Sequence, residues 1–282
     1  MATIIDGKEL SKKLKEQMKD RVAQMRQQGI VPKLVVVLVG NNSASEVYVR
    51  NKHKACGEVG IESEVIKMPE ETTQQELLDV VKGLNEDRTV DGILVQLPLP
   101  GQINEKLVLR SILPEKDVDG FHPVNVGLLS IGDDCYAPAT PSGIIAMFKE
   151  YGIEIAGKHC VIIGRSNIVG KPMAALLLRH NATVTVCHSK TQNLGELTRQ
   201  ADIVIVATGH RHTLTADMVK EGAVVIDVGM NRNELGKLCG DVDFEEVKEK
   251  ASFITPVPGG VGPMTITELL ENTILAAQRH HS

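Results

Sequence analysis

The sequence predicts an α/β protein of two domains. The run Lys33–Val39 is apolar after its first residue, which is typical of a strand buried on both faces in a parallel sheet covered by helices. Segments of strand and helix character alternate around this run, and a second alternating set begins near residue 159. A proline-punctuated stretch at residues 138–143 separates the two sets. A chain of 282 residues has room for two such domains.

The first set opens with a predicted helix. Asp6 is a suitable N-cap, Glu9 is placed to complete a capping box, and Gly29 ends the helix. Its apolar face repeats at helical spacing through Leu10, Leu14, Met18, Val22 and Met25. After Lys33–Val39 we predict a helix over Ser43–Val59 that ends at Gly60, then a strand, a helix and a strand at residues 61–68, 74–85 and 90–96.

The second set begins after residues 138–143, which we interpret as a linker that opens a helix. Strands are predicted at residues 159–163, 183–187, 203–207 and 223–228, with helices between them. A last helix is predicted at residues 265–278, after a glycine-rich loop. We therefore expect one domain to comprise residues 1–140 with a C-terminal helix at 264–282, and the other to comprise residues 141–263.

Composition argues against several classes of protein. A net charge of -5 and a pI near 6.0 argue against nucleic acid or a membrane surface as a partner, since these usually leave a basic footprint. No apolar run is long enough to span a bilayer and residues 1–8 lack a signal pattern, so we expect a cytoplasmic protein. His210 and His212 have no obvious carboxylate partner nearby and are interpreted as surface residues, and no metal site is expected. Reduced thiols are favoured over disulfides or zinc for the five scattered cysteines, Cys56, Cys135, Cys160, Cys187 and Cys239.

A glycine-bearing turn at residues 164–170 lies between a predicted strand and a predicted helix. Such a turn lets backbone N–H groups approach a phosphate at the N-terminus of the helix. Its spacing is not Gly-x-Gly-x-x-Gly, so the spacing alone is equally compatible with an ordinary strand-to-helix turn. The position within a βαβ unit favours a Rossmann-like dinucleotide site.

The end of the next strand distinguishes NAD from NADP. Sites for NAD place an Asp or Glu there to hold the ribose 2′-hydroxyl. Here the strand ends without an acid at residues 186–190, whereas Ser189, Lys190 and Arg165 are suited to meet a 2′-phosphate. The sequence therefore favours NADP.

The first half of the chain carries a candidate catalytic lysine. Ser45, Tyr48 and Lys52 share one face of a predicted helix that follows a strand, where open α/β sheets bind ligands. A lysine there can transfer protons if burial lowers its pKa. Because Arg50 and Lys54 flank Lys52, spacing alone favours a solvated helix face.

Three further features are ambiguous one by one. Gln96 is polar at the end of an apolar strand, where ligand contacts tend to lie. Asp119 precedes a glycine and is either a ligand contact or a simple turn residue. The loop at residues 256–263 either lets the backbone approach a flat ligand closely or is only a linker. Together these features describe a two-domain dehydrogenase with a Lys/Gln/Asp cleft.

Five segments, in order along nearly the whole chain, resemble the bifunctional methylenetetrahydrofolate dehydrogenase/methenyltetrahydrofolate cyclohydrolases. The segments are residues 48–52 (YVRNK), 91–100 (DGILVQLPLP), 114–120 (PEKDVDG), 164–172 (GRSNIVGKP) and 256–265 (PVPGGVGPMT). The second and the last are highly specific. The resemblance implies an N-terminal α/β folate-binding catalytic domain, a C-terminal Rossmann-like NADP-binding domain, and a substrate cleft between them.

The resemblance also implies two reactions. NADP⁺ takes hydride from 5,10-methylenetetrahydrofolate, and water then opens the resulting 5,10-methenyltetrahydrofolate to 10-formyltetrahydrofolate. A nitrogen lone pair of the substrate can expel the hydride, so the first step requires orientation rather than a strong base. The second step requires proton transfer, a role that in the family falls to the lysine matching Lys52, assisted by the glutamine matching Gln96.

Residue roles follow from the same resemblance. Tyr48 matches a tyrosine that packs along the substrate and Asp119 an acid that binds the pterin end, and with Lys52 and Gln96 they form the implied catalytic set. The implied substrate contacts also include Val95, Leu97, Pro258, Gly259, Gly260, Val261 and Gly262. The implied cofactor contacts are Gly164, Arg165, Ser166, Ser189 and Met230.

Two positions depart from the family pattern. Met230 stands where isoleucine is common beside the cofactor, an apolar exchange of similar volume, and Ala139 stands where cysteine is usual. Neither is a proposed catalytic group. The family is typically homodimeric, so we expect a homodimer, and its product implies a place in purine, methionine and histidine biosynthesis.

Three alternatives stay open at this level. A monofunctional dehydrogenase would not need Lys52, Gln96 and Asp119 together. A silent folate-binding or regulatory protein would be expected to lose Lys52 or the glycine turn at residues 164–170. Another two-domain dehydrogenase, of the quinate or hydroxy-acid type, would share only the architecture.

Overall fold

A computed structural model describes residues 2–281 of the chain. The chain divides into two compact units. One, here called the large-sheet unit, contains the residues up to Lys12 together with Thr140–Thr265. The other, the small-sheet unit, contains Lys13–Ala139 and the residues from Ile266 onward.

Helices and strands alternate along most of the chain. Among the described residues the helices are α1 (Gly7–Gln27), α2 (Ser43–Val59), α3 (Gln74–Glu86), α4 (Glu105–Ser111), α5 (Pro123–Ile131), α6 (Ala139–Glu150), α7 (Gly170–Arg179), α8 (Leu194–Thr198), α9 (Phe244–Lys250) and α10 (Val261–His280). The strands are β1 (Thr3–Ile4), β2 (Lys33–Val39), β3 (Glu62–Met68), β4 (Gly92–Val95), β5 (His159–Ile163), β6 (Thr183–Cys187), β7 (Ile203–Val206), β8 (Val224–Asp227), β9 (Asn231–Arg232), β10 (Leu238–Cys239) and β11 (Phe253–Ile254).

The small-sheet unit is built on three parallel strands in the order β3-β2-β4. Leu34 and Val36 of β2 pack with residues of α1, α2 and α10 on one face. Val35 and Val37 pack with residues of α3 and α4 on the other face. Because helices cover both faces, β2 is apolar at consecutive positions, as the sequence predicts.

The large-sheet unit is built on six parallel strands in the order β1-β11-β8-β7-β5-β6. From β5 the chain passes to β6 on one side and then returns to β7 on the other. The carboxyl ends of β5 and β7 therefore flank a topological switch point, which is where open α/β sheets bind dinucleotides. The strands β9 and β10 form a separate antiparallel pair.

Most predicted elements are present, and three differ from the structure by more than one residue at an end or in their type. The predicted linker at residues 138–143 is helical from Ala139, because proline at Pro141 falls in the first turn of α6, where it is tolerated. The last helix begins at Val261 rather than at residue 265, so part of the glycine-rich loop is helical. The strand predicted at residues 90–96 is confined to Gly92–Val95.

The N-terminus of the chain differs from the prediction in two ways. Asp6 Oδ1 accepts the Glu9 N–H at 2.9 Å, but the reciprocal half of the capping box is replaced by Tyr151, whose hydroxyl accepts the Asp6 N–H at 2.7 Å. The strand β1 pairs with β11, which joins the first residues to the large-sheet unit, whereas the predicted domains group them with residues 13–140.

Within residues 2–281, none of the helices is both long enough and apolar enough to cross a membrane.

Glu268 on α10 generates a prediction about stability. Burial, together with the charge of the neighbouring Glu271, raises the pKa of its carboxyl group to about 7. The folded-state pKa therefore exceeds that of the unfolded chain, so ionising Glu268 destabilises the fold increasingly as the pH rises from about 4 to 7. We expect Glu268→Gln to raise the free energy of unfolding by about 1–3 kcal/mol at pH 8 and by little at pH 4.

The measurement is the unfolding midpoint by calorimetry at both pH values. A matched control is Glu86→Gln, since that side chain is 69% exposed on α3, and we expect no pH-dependent gain from it. A gain from Glu268→Gln that is the same at pH 4 and pH 8 would contradict the stated cause.

Candidate active site

Lys52 and Gln96 meet at the edge of the small sheet. Because β3 and β4 lie on opposite sides of β2, the segments that follow β2 and β4 lie at a switch point. Lys52 lies on α2, after β2, and Gln96 directly follows β4. Lys52 Nζ donates to Gln96 Oε1 at 3.1 Å, and Gln96 Nε2 donates to the carbonyl oxygen of Leu97 at 2.7 Å. The amide is thus held at both ends, with its oxygen toward the lysine.

Burial sets the electrostatics of this pair. Burial lowers the pKa of the Lys52 amine, while the nearby Asp119 and Cys56 act in the opposite direction. Burial raises the pKa of the Asp119 carboxyl, and the charge of Lys52 lowers it. Arg50 and Lys54, by contrast, are exposed. Lys52 is therefore not part of a solvated helix face, and its lowered pKa suits it to exchange protons with water.

The turn that carries Asp119 has a conformation that requires glycine. Gly120 has φ +72°, and a Cβ there would lie 2.3 Å from the carbonyl oxygen of Tyr136. Asp117 is buried and accepts two backbone N–H groups and the Asn125 side chain, the latter at 2.8 Å. Burial raises the pKa of Asp117 to about 7. Asp117 and Asn125 thus hold the turn, and the sequence analysis did not single them out for this role.

Asn272 on α10 supports the same segment from a distant part of the chain. Its Nδ2 donates to the carbonyl oxygens of Val118 at 2.8 Å and Ala137 at 3.0 Å. The residue before Asp119 is therefore anchored to α10. In the sequence the only signal for this role is a polar residue within the apolar face of a helix.

The other predicted substrate residues of the small-sheet unit differ in exposure. Tyr48 lies one turn before Lys52 on α2 and is 38% exposed, whereas Ser45 on the same face is buried. Val95 is 2% exposed and lies in the core beside β2. Leu97 packs partly against that core, and its peptide bond to Pro98 is cis.

In the large-sheet unit the glycine turn after β5 packs closely against the residue that follows β7. Gly164 has φ +129°, and a Cβ there would lie 2.3 Å from the carbonyl oxygen of Ala207, directly after β7. A Cβ on Gly170 would lie 2.1 Å from the carbonyl oxygen of Gly164. Both glycines are needed for the chain to pass from β5 into α7 at the switch point. The turn therefore has the location that a dinucleotide site requires.

Ser166 caps α7 within this turn. Its Oγ accepts the N–H groups of Val169 at 3.1 Å and Gly170 at 3.4 Å. The sequence predicts that N–H groups of this turn bind a phosphate. In the structure the N–H groups of Val169 and Gly170 donate to Ser166 instead. Arg165 and Ser166 are exposed.

The ends of β5 and β6 fit a 2′-phosphate. Ile163 pairs with Cys187, and the Gly164 N–H donates to the Cys187 carbonyl oxygen at 2.9 Å, so the residues that follow the two strands are adjacent. Arg165, Ser189 and Lys190 are exposed there and no acid follows β6 up to Lys190. A cationic and hydroxyl-bearing edge suits the extra phosphate of NADP.

The predicted folate loop is held by the N-terminal segment of α1. A Cβ on Gly260 would lie 2.5 Å from the carbonyl oxygen of Pro256, and one on Gly7 would lie 1.9 Å from that of Gly260. The Lys8 N–H donates to the Gly259 carbonyl oxygen at 3.1 Å. Pro258 and Gly262 are exposed, whereas Val261 is buried.

The remaining predictions for the site concern metal ligands, the two loop histidines and Met230. Within residues 2–281, no three His, Cys, Asp or Glu side chains are grouped so as to hold a metal ion. His212 Nδ1 lies 3.6 Å from Asp243 Oδ2, so the prediction that this histidine lacks a carboxylate partner is wrong. Met230, a predicted cofactor contact, follows β8 and is 52% exposed.

Known proteins match this chain over both units. The family described as tetrahydrofolate dehydrogenase/cyclohydrolase, catalytic domain, matches residues 5–119, and its NAD(P)-binding domain matches residues 138–281. The bifunctional protein FolD of Streptococcus agalactiae is 59% identical over 280 residues, which are 99% of each chain.

Solved structures agree with this assignment. The bifunctional FolD methylenetetrahydrofolate dehydrogenase/cyclohydrolase of Campylobacter jejuni has a TM-score of 0.98 at 55% identity, with 99% of each chain covered. The Trypanosoma brucei methylenetetrahydrofolate dehydrogenase-cyclohydrolase, solved with NADP and an inhibitor, has a TM-score of 0.94 at 39% identity, with 99% of this chain and 98% of that chain covered. This chain belongs to the tetrahydrofolate dehydrogenase/cyclohydrolase family.

Proposed function

We propose that the chain oxidises 5,10-methylenetetrahydrofolate with NADP⁺ and hydrolyses the methenyl product to 10-formyltetrahydrofolate. The observation that carries the hydrolytic half is the hydrogen bond between Lys52 and Gln96 near the half-buried Asp119. Family membership supports both activities. We assign folate binding to residues 1–140 with 264–282 and NADP binding to residues 141–263.

In the oxidation step the protein binds and orients. NADP⁺, when bound, accepts the hydride. We assign binding of the cofactor's 2′-phosphate to Arg165 and Ser189. We assign the close approach of the dinucleotide to the carboxyl ends of β5 and β7 to Gly164 and Ser166. Because the folate nitrogen supplies the electron pair that expels hydride, the chain needs no base for this step.

In the hydrolysis step we assign proton transfer to Lys52. As a neutral amine it takes a proton from the water that adds to the methenyl carbon. The resulting ammonium gives a proton to the folate nitrogen as its bond to that carbon breaks, and the hydroxyl proton of the adduct is released to solvent as the formyl C=O forms. By accepting a hydrogen bond from Lys52 Nζ, Gln96 Oε1 fixes the orientation of the amine during both proton transfers. We propose that Asp119 accepts hydrogen bonds from the N–H groups at the pterin end of the folate. Tyr48 packs along the substrate, and residues 258–262 make further folate contacts.

The proposal extends to assembly and location. A homodimer is supported by exposed apolar side chains at and beside β10, where Leu235 is 79% and Leu238 is 40% exposed. A cytoplasmic location is supported by the free thiols of Cys56, Cys160, Cys187 and Cys239.

The direct test is an absorbance time course with purified protein, 5,10-methylenetetrahydrofolate and NADP⁺, with NAD⁺ run in parallel. We expect NADPH to form without lasting accumulation of methenyl-folate, and NAD⁺ to be reduced more slowly. Accumulation of methenyl-folate would leave a monofunctional dehydrogenase. No reduction with either cofactor would refute the proposed activity.

Lys52→Met should separate the two activities. We expect hydrolysis of methenyl-folate to fall by about 10²-fold or more, because its proton-transfer group is lost, while hydride transfer keeps a measurable rate. The control is Lys54→Met on the same helix, where the side chain is 77% exposed, and both activities should persist. Normal methenyl hydrolysis by Lys52→Met would show that another group moves the proton.

Gly164→Ala should have the opposite effect. A Cβ 2.3 Å from the Ala207 carbonyl oxygen displaces the cofactor turn, so we expect the KM for NADP⁺ to rise about tenfold or more. Hydrolysis of added methenyl-folate, which consumes no NADP⁺, should persist. Gly157→Ala is the control, because Gly157 also has a positive φ, +74°, but no atom within 4 Å of the added Cβ. Equal effects of the two variants would assign the loss to backbone strain alone.

A further inference from the structure

Two buried carboxylates lie at the carboxyl end of the large sheet, outside the residues assigned above. Asp227 is the last residue of β8 and is 3% exposed, and Asp241 follows β10 and is fully buried. Asp227 accepts the backbone N–H groups of Gly229 at 2.9 Å, Asp241 at 3.0 Å and Val242 at 3.0 Å. The first carboxylate thus holds the backbone of the second.

Asp241 in turn holds two loops. Its Oδ2 accepts the N–H groups of Thr208 at 2.7 Å and Gly209 at 2.9 Å, in the segment that follows β7. Its Oδ1 accepts Asn231 Nδ2 at 2.7 Å, at the end of the segment that follows β8. We name residues 207–210 the β7 loop and residues 228–231 the β8 loop. One side chain therefore ties together the loops of two neighbouring strands.

Glycines allow the backbone to approach this pair. A Cβ on Gly229 would lie 2.2 Å from Asp241 Oδ1, and a Cβ on Gly240 would lie 1.8 Å from Asp227 Oδ2. The conformation of both segments is thus shaped around the two carboxylates. The groups that bond to them are backbone N–H groups, a hydroxyl and an amide, and none of these carries a positive charge.

This arrangement is costly for the fold alone. Burial raises the pKa of Asp227 to about 6 against the opposing effect of its three backbone hydrogen bonds, and the nearby Asp241 contributes to the increase. Two adjacent buried acids without a cation destabilise a fold relative to neutral polar groups. A carboxylate, however, accepts only, so it aligns several N–H groups in a way that an amide cannot.

The two loops border the proposed NADP site. The β7 loop begins at Ala207, whose carbonyl oxygen is the atom that a Cβ on Gly164 would strike. The β8 loop contains Met230, between Gly229, which Asp227 holds, and Asn231, which Asp241 holds. If the 2′-phosphate lies at the β5 and β6 ends, the nicotinamide half of a dinucleotide extends across β7 toward β8.

We propose that Asp227 and Asp241 are positioning residues that hold the β7 and β8 loops against the nicotinamide half of NADP and thereby set cofactor affinity. The proposal rests on the NADP-dependent activity proposed above. Neither carboxylate touches the cofactor. Their effect passes through Gly209, Met230 and Asn231.

Asp241→Asn is the primary test. The amide keeps the shape of the side chain but sets an N–H₂ group against at least one existing donor, so the two loops can no longer both be held. We expect the Kd for NADPH, from its fluorescence, and the KM for NADP⁺ to rise about tenfold or more. Hydrolysis of added methenyl-folate without NADP⁺ should change by less than about twofold, since that reaction does not use the cofactor.

Asp243→Asn is the matched control. Asp243 is a half-buried acid two positions away that faces His212 rather than the loops, so its substitution should leave both activities unchanged.

A milder variant keeps the test decisive if Asp241→Asn does not fold. Asn231→Ala removes one bond to Asp241 and leaves both acids in place, and we expect a smaller rise in the Kd for NADPH, of about threefold. An unchanged Kd in both variants, or a parallel loss of cofactor binding and methenyl hydrolysis, would overturn the positioning role. The unmodified protein separates the two proposals: if it binds NADPH but oxidises no methylene-folate, only the proposed function fails, and if it binds no NADPH, both fail.

Discussion

Parallel strands that are buried on both faces have no room for polar side chains along their length, so the chemistry of each unit is confined to the segments that follow the strands. In the small sheet these segments supply Lys52 after β2 and Gln96 after β4. In the large sheet they supply the turn at Gly164 after β5 and Ser189 after β6. The same constraint explains why the apolar runs are so regular and why the functional residues lie at their ends.

Acidic groups placed at these buried ends are stabilised in two different ways. Asp119 has a lysine nearby, and each charge favours the ionised form of the other. Asp117 and Asp227 have instead an array of N–H donors, which opposes the effect of burial on the pKa without supplying a countercharge. The pairing of Asp119 with a lysine leaves charged groups that can interact with a substrate. The N–H arrays around Asp117 and Asp227 instead fix the conformation of the backbone. The chain thus uses one residue type both for chemistry and as a support.

The sequence predicts the long apolar strands and the helices between them well, because burial on two faces leaves a strong pattern. It predicts Lys52, Gln96 and Asp119 as one set, from their positions and from the family resemblance. Spacing alone, however, favours a solvated face for Lys52, and the hydrogen bond between Lys52 and Gln96 is seen only in the fold. Asn272 and Asp241 were not predicted, since their partners are at Val118 and Thr208, far away in the chain. The two-residue strands β1 and β11 escape prediction because such short segments carry no periodicity.

The pairing of β1 with β11 has a consequence for how the chain is made. Thr3 is paired with Phe253, so β1 emerges from the ribosome long before its partner strand is synthesised. The residues from Lys13 to Ala139 are also synthesised before α10, which supplies part of their core. Vectorial synthesis therefore leaves both units unfinished until β11 and α10 have emerged.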